Sequence, residues 1–436
     1  MKSLVIDLGS THFKARVYEG LKPINGVVKA KVTTDYRGTW VELRSEALDR
    51  ALVSVLKQLG RQSATVERII FSNQAPCLAL QSKAGQLLCP LITHLDRRSI
   101  EQAQFLENEF GRNWWLTVTG NRPYPGGVAV TTLWWLKKNA SMIFNRSHTF
   151  GSLGSYVANR FTGRNYIDSG NACLMGLYDV AGRKDWNREI LRFLGIELSQ
   201  LPQIKEAGVS CGELKRNVAR TFGLRCGIPV LVGLVDSSAC ALGGDLSDGD
   251  LLHSCGTTDV IATILPEPYP DEKYLTRALG IDGKWLALRT IASSGSTLQW
   301  CEGIFGQKIP LPSKKTTDVR FDPYLAGDRL SLESRRGALS QLTLATSRED
   351  IVNSIYLALG AQSAESVSAL SSRLSLNGKV CWSGGNSSLA RWYHSIWKRE
   401  FKLNWKFAYF EEMGLLGLAK LVQKGVHNDI AYDRTG

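Results

Sequence analysis

Several signatures are missing from this chain of 436 residues, and each absence removes a class of function. None of the nine cysteines has a partner at Cys-x-x-Cys spacing, and the six histidines form no His-Glu-x-x-His. Neither a disulfide framework nor a zinc site is therefore expected. An odd, scattered set of thiols, mostly in apolar company, fits a reducing compartment, and a cytoplasmic location is the expectation. No run approaches the ~18 apolar residues of a membrane span, and Asp7 breaks the first apolar run, so no signal peptide is expected either. Lys and Arg outnumber Asp and Glu by 53 to 40, a formal charge of +13, yet no block of five basic residues occurs. A dispersed excess reads as solvated surface, so no nucleic acid and no membrane is expected as a partner, although the field would draw in small anions.

What is present describes a soluble globular chain, 44% hydrophobic and 21% charged. Single cores rarely grow past ~250 to 300 residues, so two domains are expected. The stretch LVIDLGSTHFKARVYE, residues 4 to 19, predicts a hairpin. Leu4, Val5 and Ile6 form its first strand and Phe13, Ala15 and Val17 its second. Gly9 lets the backbone turn, and Ser10 and Thr11 offer hydroxyls and amides to an anion. Asp7 at the bend suits a hydrated Mg²⁺ held beside phosphate, or it is an ordinary acidic turn residue. Residues 251 to 266 repeat the pattern, with Gly256, Thr257 and Thr258 where Gly9, Ser10 and Thr11 stood and Ser254 in place of Asp7. Two such hairpins would make a phosphate clamp with one metal-facing side. In residues 380 to 397, Gly384, Gly385 and Asn386 separate an apolar strand from an amphipathic helix, which lets a nucleotide approach the backbone at a helix start.

Between these stretches, Leu48, Leu52, Leu56 and Leu59 lie at helical spacing. RIIFSN predicts a buried strand delivering Ser72, Asn73 and Gln74 at its carboxyl end, where open α/β sheets present ligands, with Ala75 and Pro76 next. A hairpin turning at Ala84-Gly85 leads to a polar cluster of His94, Asp96, Arg97 and Arg98. Asp96 and Arg98 either orient hydroxyl groups or form a surface ion pair at a helix start. Trp114-Trp115 and Trp134-Trp135 read as core helices, and residues 121 to 127 as a loop bordering a cleft. Asp168 faces a ligand or caps a helix. IPVLVGLVDSSACALGG, residues 228 to 244, runs a buried strand into Asp236 and Ser237. Asp236 there is either a general base or a helix N-cap. A helix is expected from Asp350 to Leu374.

In this order the motifs resemble the FGGY carbohydrate kinases, of the actin-like, ribonuclease-H-like superfamily, over nearly the whole chain. DLGST at 7 to 11 and HSCGTTDVI at 253 to 261 are similar to the two phosphate motifs, SNQAPCLAL to a substrate-contacting turn, and LDRRS to the family's Asp-x-Arg segment. GLVDSSACALG is similar to the segment bearing the catalytic acid, while FDPYLAGDR at 321 to 329 and RRGALSQLTLATSREDIV are close to family consensus. SGGNSSLARWYHSI and FEEMGLLGLAKL complete the nucleotide side.

The resemblance implies an α/β fold of two ribonuclease-H-like domains, 1–243 for sugar and the first phosphate motif and 244–436 for nucleotide, with a cleft between. It implies ATP and Mg²⁺, Asp236 as the base that deprotonates a sugar hydroxyl, and Asp7 as the metal-facing acid. Gly9, Ser10, Thr11, Gly256, Thr257 and Thr258 would grip phosphate, and Gly384, Gly385 and Asn386 the adenosine. Ser72, Gln74, Ala75, Pro76, Asp96, Arg98, Asp236 and Ser237 would surround the sugar. Xylulose kinases usually carry Met-His where this chain has Ala75-Pro76, and Asp-Asn where it has Asp236-Ser237. The Asp-Ser pair and the short chain look more like the small D-ribulose kinases of photosynthetic organisms. A ketopentose is implied, D-ribulose ahead of D-xylulose, and a homodimer is left open. The alternatives are a kinase for another sugar or polyol and a non-enzymatic actin-like nucleotide-binding protein.

Overall fold

The structure, a computed structural model, describes residues 1–433. Leu4, Val5, Ile6 and Leu8 are at most 1% exposed, which makes β1 (Lys2–Leu8) an interior strand covered on both faces. It pairs antiparallel with β2 (His12–Glu19), so the expected hairpin forms. The same sheet of eight strands contains β3 (Lys22–Pro23), β4 (Val28–Lys31), β5 (Arg68–Asn73), β6 (Ser210–Glu213), β7 (Pro229–Leu231) and β8 (Leu234–Val235). On its other side β1 runs parallel to β5, with Asp7 opposite Ser72, while across the hairpin Asp7 lies opposite Lys14. Register alone thus brings a hydroxyl and an ammonium to the acid.

The second sheet repeats this local topology. Its six strands are β9 (Leu251–Cys255), β10 (Asp259–Leu265), β11 (Leu275–Ala278), β12 (Trp285–Ile291), β13 (Lys379–Ser383) and β14 (Lys406–Tyr409). β9 pairs antiparallel with β10 and parallel with β13, placing Ser254 opposite Ser383 as Asp7 is opposite Ser72. The likeness read from the two hairpins therefore extends to the strand beside each.

Helices cover the sheets. α1 (Ser45–Lys57) buries Leu48, Leu52 and Leu56 as its spacing requires. α2 (Asp236–Gly243) starts directly after β8. The break between β7 and β8 falls at Gly233, where a Cβ would overlap the Phe71 carbonyl oxygen of β5. α3 (Arg348–Ser371) begins two residues before the expected Asp350, because the Ser347 hydroxyl accepts from the Asp350 amide at 3.2 Å and the Asp350 carboxylate accepts from the Ser347 amide at 2.9 Å. α4 (Ser387–Glu400) follows the glycine turn after β13, and α5 (Met413–Asp433) is the last helix of the described residues.

Two segments of the second half pack back against the first. α5 returns to α2, where Gly243 and Gly417 permit backbone contact that any side chain would block. The segment after Arg320–Asp322 crosses to the first half, where Arg97 donates to the Ser331 carbonyl at 3.0 Å and Gln104 to that of Leu332 at 3.0 Å. Trp115 and Trp134 are buried, and Trp114 and Trp135 pack partly covered against the same core. All nine cysteines are unpaired. Among the described residues no helix is long and apolar enough to cross a membrane.

Candidate active site

The carboxyl ends of β1 and β9 face each other across a cleft of about 990 Å³. Gly9, Ser10 and Thr11 line it from one side, Gly256, Thr257 and Thr258 from the other, and Gly384, Gly385 and Asn386 from a third. The hairpins touch at their tips: the Thr11 and Thr257 hydroxyls are 3.0 Å apart. Behind the second tip, the Thr257 carbonyl accepts from the Ser294 amide at 3.1 Å and from the Ser296 amide at 3.2 Å, which fixes the turn. The third turn is anchored by its helix, since the Asn386 side chain accepts from the Leu389 amide at 3.3 Å and caps α4.

Asp7 and Asp236 both line the cleft. Asp7 accepts from the Ser72 hydroxyl at 2.8 Å. Burial first, and the nearby Asp236 carboxylate second, push its pKa up to about 6, against the pull of Ser72 and Lys14. Lys14 is itself paired with Glu412 at 2.8 Å, just before α5. Asp236 is the first helical residue of α2 rather than its N-cap, and its Oδ1 accepts from the Ser237 amide at 2.6 Å. Burial pushes its pKa up, opposed by that amide, by Arg277, by the Ser237 hydroxyl and by Arg329.

The two arginines were not legible as site residues. Arg277, 1% exposed on β11, donates to the Ser237 hydroxyl at 2.8 Å and the Ser238 hydroxyl at 2.6 Å, so it holds the start of α2. Arg329 comes from FDPYLAGDR, and with His94 it lines the cleft near Asp236. An arginine inside a strand of small, apolar and β-branched residues, as in LTRA, is the one signal that singles out Arg277.

Of the residues read as sugar contacts, Ala75, Asp236 and Ser237 line the cleft, whereas Ser72, Gln74, Pro76, Asp96 and Arg98 do not. Ser72 is fully buried and serves Asp7 instead. Gln74 is 2% exposed, behind the cleft wall. Asp96 and Arg98 pair at 2.7 Å with side chains 1% and 3% exposed, so they are neither cleft residues nor a surface pair. Asp96 also accepts from the Val41 amide at 2.7 Å, and the Arg98 guanidinium stacks 4.0 Å from the Trp40 ring centroid, so both side chains are engaged away from the cleft. Residues 121 to 127 back this segment rather than lining the cleft: a Cβ on Gly126 would lie 2.5 Å from the His94 carbonyl oxygen. Asp168 caps a helix, accepting from the Asn171 amide at 3.1 Å.

Residues 3–243, more than half of the chain, match the FGGY family of carbohydrate kinases, N-terminal domain. The chain belongs to the FGGY family of carbohydrate kinases. A xylulose kinase of Staphylococcus xylosus is 24% identical over 371 residues, covering 80% of this chain and 75% of its own. A gluconokinase of Bacillus subtilis is 24% identical over 382 residues, with 80% and 73% covered. The structure of a xylulose kinase from Lactobacillus acidophilus matches with a TM-score of 0.84 at 18% identity, covering 98% of this chain and 90% of that one. The fold is thus the two-domain actin-like ATPase fold of the FGGY kinases. As an FGGY kinase the protein is an ATP-dependent phosphotransferase acting on a sugar hydroxyl, with ATP and sugar as its substrates. Such a reaction requires positioning and charge neutralisation more than covalent help, and the cleft offers hydroxyls and backbone amides from three turns.

Proposed function

We propose that this FGGY kinase phosphorylates a ketopentose, D-ribulose ahead of D-xylulose, with Asp236 as the general base. The observation that carries this reading is the position of Asp236: an acid at the end of β8, inside the cleft, with the Thr11–Thr257 contact beside the same cleft. Asp236 takes the proton of the attacking hydroxyl, the freed oxygen bonds to the γ-phosphorus, and ADP leaves. Thr11, Gly256 and Thr257 grip the moving phosphoryl group, supported by Gly9, Ser10 and Thr258. Gly384, Gly385 and Asn386 hold the adenosine side, and the proposed units 1–243 and 244–436 close to exclude water. The lean toward D-ribulose rests on resemblance: the Asp236-Ser237 pair and the short chain are similar to those of the small D-ribulose kinases.

Asp7 fits a divalent cation. It is a half-buried, cleft-lining carboxylate with one oxygen taken by Ser72, and its charge is left costly by desolvation and by Asp236. Mg²⁺ held there, directly or through water, would neutralise phosphate charge. The sign of Asp7's contribution to stability follows from its raised pKa. The folded carboxyl keeps its proton up to about pH 6, against 3.8 as the ordinary value, so the stability it contributes is present at low pH and lost as pH rises through that range. Asp7→Asn is therefore expected to raise the melting temperature of the unligated protein at pH 7.5 while abolishing sugar phosphorylation. Calorimetry without metal and nucleotide checks the first part; a melting temperature several degrees below wild type means that the Ser72 and Lys14 interactions outweigh the repulsion.

The acceptor is tested by a coupled ADP-release screen of ketopentoses, aldopentoses, hexoses, tetritols and glycerol, with a sugar-free control. Highest kcat/KM is expected for a ketopentose. Preference for glycerol or a hexose overturns that assignment, and ADP release that no acceptor accelerates overturns the sugar as acceptor.

A further inference from the structure

Around Asp236 the cleft wall holds polar groups that the fold leaves unsatisfied. His94 is 5% exposed, and neither ring nitrogen has a hydrogen-bond partner among the described residues; its Nδ1 is fully covered. Arg329 is 6% exposed, forms no ion pair among the described residues, and has an unpartnered, covered Nε. Its one hydrogen bond is a long one, from Nη2 to the Ala75 carbonyl at 3.4 Å. A buried polar group without a partner is costly, so two in adjacent walls of one cleft are not a neutral packing choice.

These groups are held in place rather than adrift. The His94 backbone is fixed from behind by the close approach of Gly126, and Arg329 lies on the segment that Arg97 and Gln104 tie to the first half. Burial, then the charge of Arg329, lowers the His94 pKa to about 3, so the ring is neutral and offers one donor and one acceptor. Arg329 offers donors alone. A neutral imidazole beside a donor fork complements a hydroxyl next to a carbonyl, which is the C2–C3 unit of a ketose.

We infer that His94 and Arg329 read the acceptor: Arg329 donates to the ketose carbonyl oxygen and His94 exchanges hydrogen bonds with the neighbouring hydroxyl, the centre at which the two ketopentose epimers differ. Asp236 then meets a different hydroxyl of the same molecule. This rests on the sugar-kinase reading for its reaction and on the ketopentose reading for its atoms. Recognition through buried polar groups discriminates strongly, because the wrong epimer leaves them unpaired.

The test compares His94→Leu, His94→Asn, Arg329→Met and Arg329→Lys with wild type, using the acceptor that wild type turns over best and its epimer. His94→Leu is expected to lower kcat/KM roughly 10- to 100-fold, chiefly through KM, and to bring the ratio for the two epimers toward one. His94→Asn, which keeps a donor and an acceptor, should recover most of the loss. Arg329→Met should lose more on the ketose than on the matching pentitol, which lacks the carbonyl, and Arg329→Lys should recover part. ADP affinity by calorimetry must stay at the wild-type value in each variant used, which certifies the fold. If folded His94→Leu and Arg329→Met keep the wild-type KM and epimer ratio, the inference is overturned. A best acceptor that is not a ketopentose overturns only the ketopentose reading and the assignment of carbonyl and hydroxyl, while the KM values of the variants still decide whether these residues read the acceptor.

Discussion

Asp236→Asn and Asp236→Ala are expected to lower sugar phosphorylation by roughly 10² to 10⁴, the usual contribution of a positioned base, while ADP affinity stays near wild type. The argument begins with how the carboxylate is held. Oδ1 takes the Ser237 amide at 2.6 Å and the Ser237 hydroxyl at 3.3 Å, and that hydroxyl also receives Arg277 at 2.8 Å. Oδ2 has no protein partner among the described residues and belongs to a side chain that lines the cleft. One oxygen is thus an anchor and the other is available to a hydroxyl proton. Burial raises the pKa, which strengthens the base, while the Ser237 amide, Arg277 and Arg329 pull the other way. Asn keeps the shape and the anchor but accepts no proton, so it separates chemistry from packing. Coupled ADP release at saturating sugar, with ADP titrated by calorimetry, reads both quantities. Turnover within a few-fold of wild type in both variants would reduce Asp236 to the residue that starts α2.

The hairpins were legible because their signal is local. A buried strand, a Gly turn and paired hydroxyls sit within ten residues, and strand register then does the rest, bringing Ser72 and Lys14 to Asp7. The nine residues assigned to phosphate and adenosine all reach the cleft for this reason. The acceptor side was legible only in part, because it is assembled from distant segments. His94, Arg277 and Arg329 come from three separate stretches, and nothing local distinguishes the cleft-lining Arg329 from Arg97, which is buried a few residues from His94 and donates to the Pro125 and Ser331 carbonyls. Asp96 and Arg98 misled for the converse reason. Their spacing suits recognition of hydroxyls, but Glu42, Val41 and Trp40, far away in sequence, engage them away from the cleft.

The glycine turn before α4 gives the second large effect, and two adjacent glycines make it a controlled comparison. Gly384 has φ +127°, a conformation that side chains rarely adopt, and a Cβ there would overlap the Cys255 carbonyl oxygen. Cys255 ends β9, the strand leading into Gly256 and Thr257, so displacement at Gly384 moves the second phosphate turn as well as its own. Gly385, one residue on, has nothing within 4 Å of an added Cβ. Gly384→Ala is expected to bring about 1 to 3 kcal/mol of backbone strain. Released by shifting the two turns apart, that strain corresponds to roughly a 5- to 150-fold loss of ADP affinity. The same variant should melt at a lower temperature, while Gly385→Ala stays near wild type in both measurements. Calorimetric titration of ADP alongside thermal unfolding of the two variants checks this. Equal ADP affinity in Gly384→Ala and Gly385→Ala would mean that the contact between Gly384 and Cys255 does not set the spacing of the phosphate turns, and that adenosine is held elsewhere in the cleft.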